Sequence, residues 1–160
     1  MAFMSNINRI ILHCAATPNG RPIGNAKETA SQVIDRWHKE RGFARQQANL
    51  GLFNPELRHI GYQYVIDIDG TCTTGRREGE VGAHTLGYNT GSIGICLAGT
   101  DKFTVKQWER LRALVNELVH KYPKASLHGH REFAAKICPG FDVADWSAVG
   151  LNPLPGHILD

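Results

Sequence analysis

The chain has 160 residues, a formal net charge of +3 and a sequence pI near 8.8, with 42% hydrophobic and 21% charged residues. That length suits one domain with its own core. The mixed composition excludes a disordered polyelectrolyte, and without an apolar run of bilayer length membrane insertion is excluded too. No block of Lys and Arg interleaved with aromatics occurs, which argues against a nucleic-acid partner.

The start, MAFMSNINRI, lacks the positive region and apolar stretch of a secretory signal, so the chain is expected to be made and kept in a cytoplasm. Its four cysteines, Cys14, Cys72, Cys96 and Cys138, are then expected to stay reduced, with no structural disulfide. Arg9 to Cys14 predicts a short buried strand carrying His13 at its C-terminal end, where functional side chains gather in α/β folds. A lone histidine there also fits a core position. Cys14 and Cys96 read as small buried hydrophobes and Cys72 as a hairpin residue.

Thr17 to Lys27 is a loop by its prolines and glycines. Ala30, Val33, Ile34 and Trp37 then recur at helical spacing, with Thr29 as N-cap and Gly42 as stop; Trp37 reads as core and His38 as solvated. Phe43 to His59 has no clean period and is expected to be an ordered surface loop. Gly61 to Ile68 predicts a strand with Tyr62 and Tyr64 on one face, turning at Asp69-Gly70 into Thr71 to Thr74.

Glycines from Gly75 to Gly91 mark a loop region holding His84 and Asn89, before a strand at Ile93 to Ala98. Thr104 and Gln107 form a capping box for a helix whose apolar stripe runs from Trp108 to Tyr122, ended by Pro123. Ala125 to Leu127 is a further strand, Asp142 caps a short helix carrying Trp146, and the tail from Asn152 is expected to be irregular. The alternation predicts an α/β fold, a single domain over residues 1–160 with its core at about 9–148.

The chemistry concentrates in HGHREFAAKICPGFD, residues 128–142. His130 and Cys138 are eight residues apart on a segment that reads as a loop, and imidazole and thiolate are good zinc ligands. Two ligands do not make a site, and His13 is the best candidate for a third. Lys136 lies two residues before the cysteine.

Taken with Tyr62, the stretches IILHCAAT, WHKERG, GYQYVIDIDGT, VGAHTLGYNTGSIGICLAG and HREFAAKICP occur in an order that resembles the type 2 N-acetylmuramoyl-L-alanine amidases. These belong to the zinc amidase and peptidoglycan recognition protein superfamily, and within it the likeness is greatest to the amidase-type lysozymes of the T-seven group of phages. The resemblance covers most of residues 9–146. It implies a central mixed β-sheet flanked by helices and one Zn2+ held by His13, His130 and Cys138. Tyr62 and Lys136 fall where the family keeps its two non-ligand catalytic side chains, and His84 and Asn89 where it lines the substrate groove.

The activity implied is hydrolysis of the amide between N-acetylmuramic acid and L-alanine in peptidoglycan, with the MurNAc and stem peptide as partner and the protein a monomer. A phage or prophage endolysin would wait in the host cytoplasm and act on the wall after membrane permeabilisation. A cytoplasmic muropeptide-recycling amidase, a non-catalytic peptidoglycan-binding module and a structural zinc site are the other readings. Between WHKERG and GYQY this chain carries an extra segment relative to the phage enzymes, so Phe43 to His59 has no template there.

Overall fold

The computed structural model describes residues 6–159. Five strands form the main sheet: β1 (Arg9–Cys14), β2 (Tyr64–Ile66), β3 (Cys72–Thr74), β4 (Ser92–Leu97) and β6 (Ser126–Gly129), in the order β3-β2-β4-β1-β6. Neighbouring strands from β2 to β6 are parallel, and only the edge strand β3, the return arm of the Asp69-Gly70 hairpin, is antiparallel. The expected mixed sheet is therefore present. β1 and β4 lie inside it, which explains their near-continuous apolar sequences: both faces are covered.

One face carries α3 (Val105–Lys121) and α4 (Val143–Ala148), where Ile10, Leu12, Ile93 and Ile95 meet Trp108, Leu111, Val115, Leu118 and Trp146. The other carries α1 (Ala30–Glu40), where Val33 and Ile34 pack with Val65, Cys96 and Ala98. Each Val, Leu or Ile among them contributes about 1.5–3 kcal/mol when fully buried. Thr29 and Thr104 cap α1 and α3 with reciprocal boxes through Gln32 and Gln107, and Asp142 caps α4.

Several expectations are corrected. The predicted strand from Gly61 is regular only from Tyr64, because the Gln63 side chain turns inward to bond the Glu80 carbonyl and the Gly94 N–H. Alternation breaks there, so Tyr62 packs with the α1-side cluster and Tyr64 with the opposite one. His38 is buried rather than solvated; its Nδ1 accepts the Gly61 N–H at 2.8 Å. Trp37 is only half-buried, and Cys14 likewise. The tail is not wholly irregular: β7 (Ile158–Leu159) pairs with β5 (Phe103–Thr104).

Phe43 to His59 is more than a surface loop. It contains the single turn α2 (Gln47–Leu50) and is folded around the buried Arg45 guanidinium. Arg45 donates to the Asn54, Leu57 and Phe53 carbonyls and forks onto both oxygens of Glu80, at 2.8 and 2.9 Å. Three of these five bonds satisfy carbonyls that the lack of regular structure would leave bare, and two neutralise the guanidinium on the carboxylate.

Candidate metal centre

His13 ends the buried run of β1. Its register partner is Cys96, which belongs to the α1-side cluster, so the imidazole projects onto that face at the carboxyl end of the sheet. The pairing Leu12↔Gly129 brings the first residue after β6, His130, beside His13, and the two rings are 4.6 Å apart between centroids. Adjacent parallel strands therefore deliver two histidines from opposite ends of the sequence to one place.

Cys138 returns to the same point because its loop is closed on itself. The Arg131 N–H bonds the Cys138 carbonyl at 2.8 Å, and the Cys14 N–H donates to Cys138 Sγ at 3.2 Å. Gly140 seats the far end of the loop. Its φ is +93°, and a Cβ there would lie 2.0 Å from the Thr100 carbonyl oxygen, so only glycine fits. One ligating atom from each of His13, His130 and Cys138 lies within 4.8 Å of the others, the compact spacing that a single ion requires.

The protonation states of the two imidazoles suit a cation, whereas the Cys14 side chain and burial push the Cys138 thiol up. Burial, followed by the neighbouring His84, His130 and Lys136, holds His13 well below the usual imidazole range, and burial with Lys136 also lowers His130. Both rings therefore present free lone pairs at neutral pH. His13 Nδ1 is 3.8 Å from Cys138 Sγ, while its Nε2 is 2.9 Å from His84 Nδ1 and 3.3 Å from Thr85 Oγ1. Of the two His13 nitrogens, Nδ1 is thus the one facing Cys138.

Tyr62 stands with its ring 5.1 Å from that of His13. Burial, then the nearby Cys96 and Cys138 thiols, push its phenol well above the ordinary range, so it remains a hydrogen-bond donor. Lys136 is exposed on the loop between His130 and Cys138, close enough for its charge to act on both histidines.

His84 and Asn89, expected to line a substrate groove, are brought together in the loop beside His13. The loop folds inward, so that His84 stands behind His13, and Asn89 Oδ1 accepts the His84 and Thr85 N–H groups at 3.0 and 2.8 Å. Sequence reading missed Thr85 and the Cys14 N–H as contacts of the ligands. Their only signal was adjacency to His84 and His13. His128 turns away to pair with Glu132 at 2.9 Å.

The N-acetylmuramoyl-L-alanine amidase family model matches residues 3–141. The endolysin of Escherichia phage T7 is 38% identical over 145 residues, covering 86% of this chain and 83% of that protein. The endolysin of Enterobacteria phage T3 is 37% identical over 145 residues, again covering 86% and 83%. Among solved structures, the amidase LysC from Clostridium intestinale superposes with a TM-score of 0.68 at 28% identity, covering 91% of this chain and 86% of its own. Drosophila PGRP-LB superposes at 0.71 and 26%, covering 100% and 89%. With its fold, its His-His-Cys cluster and these likenesses in agreement, the chain belongs to the N-acetylmuramoyl-L-alanine amidase family and is related to the phage T7 endolysin.

Proposed function

We propose that this amidase cleaves the bond between N-acetylmuramic acid and L-alanine with the help of one zinc ion held by His13, His130 and Cys138, and that it serves as an endolysin. The observation that carries the reading is the convergence of two neutral imidazoles and a thiol within 4.8 Å at the carboxyl ends of adjacent parallel strands. The donor set fits zinc: nitrogen and sulfur ligands, three in number, as in catalytic rather than closed structural sites. Similarity to the phage endolysins supports the biological role, with release onto the wall following membrane permeabilisation.

When bound, such an ion keeps a fourth position for water, lowers that water's pKa to about 7 and polarises a carbonyl. The chain's own residues supply the rest. The Cys14 N–H stabilises the Cys138 thiolate that the ion requires. The Lys136 ammonium stabilises negative charge developing on the amide oxygen; loss of one such donor costs roughly 3–4 kcal/mol of barrier. Tyr62, protonated and beside His13, donates a hydrogen bond that orients the attacking water or the same oxygen.

Digestion of purified sacculi followed by mass analysis tests the reaction. New L-alanine amino ends are expected, and new reducing sugar ends instead would overturn it. Cys138→Ala is expected to abolish stoichiometric zinc. Lys136→Ala is expected to keep zinc while losing about 10²–10³-fold in kcat/KM; near-native turnover would remove its assigned role.

A further inference from the structure

Resting on the assignment of His13 as a zinc ligand, we propose that His84 is a positioning residue for that ligand. Its Nδ1 would accept the proton of His13 Nε2, so that His13 Nδ1 is the nitrogen offered to the ion. The two nitrogens are 2.9 Å apart, and Thr85 Oγ1 lies 2.9 Å from His84 Nδ1 and 3.3 Å from His13 Nε2.

An imidazole that binds a cation through one nitrogen carries its proton on the other, and the partner of that second nitrogen fixes tautomer and ring angle. His13 Nδ1 faces Cys138 Sγ, so its proton belongs on Nε2. His84 Nδ1 must then be an acceptor. A neutral imidazole has one donor and one acceptor, which places the His84 proton on Nε2.

That Nε2 is buried and has no hydrogen-bond partner among the described residues. Folding alone gives no reason to leave it so, since a rotated ring or another side chain would avoid the cost. The surroundings nevertheless confine the plane of the ring. A Cβ at Gly82 or at Gly94 would lie 2.6 Å from His84 Cδ2, so the imidazole occupies a slot that glycine at both positions leaves open. Asn89 pins the adjoining backbone from the other side. The slot sacrifices Nε2 and presents Nδ1 to His13.

Two measurements on the full chain test this. In zinc-loaded protein with 15N-labelled histidine, a hydrogen-bond coupling between His13 Nε2–H and His84 Nδ1 is expected. A proton found on His84 Nδ1, or no coupling, overturns the proposal. Next, His84→Asn and His84→Leu are compared by zinc competition against a chromogenic chelator, with thermal unfolding of the zinc-free proteins as the check on folding. The two side chains are nearly equal in size, and only asparagine places an acceptor near the original Nδ1. The leucine variant is expected to bind zinc about 10–100-fold more weakly, with asparagine restoring most of the loss. Equal weakening in both, or wild-type affinity in the leucine variant, overturns the positioning role while leaving zinc binding by the parent intact. A parent chain that binds no zinc overturns the ligand assignment itself. If the leucine variant does not fold, the coupling measurement decides alone.

Discussion

Glu80→Gln is expected to be among the most damaging single substitutions outside the metal centre. The Arg45 and Glu80 side chains are 0% and 1% exposed, and the carboxylate accepts from Arg45 Nε and Nη2 and from the Arg77 N–H at 3.2 Å. Glutamine retains one acceptor but turns an amide N–H₂ toward the guanidinium, leaving a buried cation without its counter-charge. Breaking a buried pair in this way costs about 3–5 kcal/mol. For a chain of this size that is a fall in Tm of roughly 6–20 °C. Equilibrium urea unfolding of the parent, Glu80→Gln, Arg45→Met and the double variant provides the test. Arg45→Met should be at least as damaging, because the Phe53, Asn54 and Leu57 carbonyls also lose their donor. The double variant should cost clearly less than the sum of the singles. A Glu80→Gln cost below about 1 kcal/mol, or strict additivity, would refute the view that this pair holds the loop in place.

Burial holds the His38 imidazole at about 4, against 6.5 ordinarily. The unfolded chain then binds the extra proton between those values, so His38's contribution is complete above pH 6.5 and is lost as pH falls toward 4. Relative to His38→Gln, the parent should lose on the order of 2–3 kcal/mol of stability across that window, after allowance for partial solvent screening; parallel stability curves would dismiss it. Tyr62→Phe should keep zinc and fold but lower kcat by about 10²-fold or more, and unchanged single-turnover rates would exclude a hydrogen bond from its hydroxyl. Thr104→Ala removes the side-chain acceptor for the Gln107 N–H at 3.1 Å and should cost about 1 kcal/mol by urea unfolding.

The elements that could be read from sequence were those whose signals are local. The capping boxes at Thr29 and Thr104, the Asp69-Gly70 hairpin and the apolar run of β1 each announce themselves within a few residues. The three proposed ligands were accessible because nitrogen and sulfur donors are rare enough to be paired across the chain. What escaped depended on distant partners. Phe43 to His59 reads as a surface loop until Glu80, 35 residues along the chain from Arg45, is seen paired with it. His38 reads as solvated until the Gly61 N–H claims its nitrogen, and nothing local to His84 announces its contact with His13. Tyr62 and Tyr64 read as sharing a face under strict alternation, but the inward Gln63 amide interrupts the strand and they pack on opposite faces.

The cluster joins residues 125 positions apart, since His13 meets Cys138 only across a sheet in which the first strand is flanked by β4 and β6. On a ribosome adding about 5–20 residues per second, the strand bearing His13 emerges long before either of its neighbours exists. Nothing shorter than nearly the whole sequence can gather the three donors. Parallel pairings of such long range also close slowly, because the intervening loops must be ordered before the contacts reward it. On the proposed zinc assignment, acquisition of the ion becomes a late event that reports completion of the sheet.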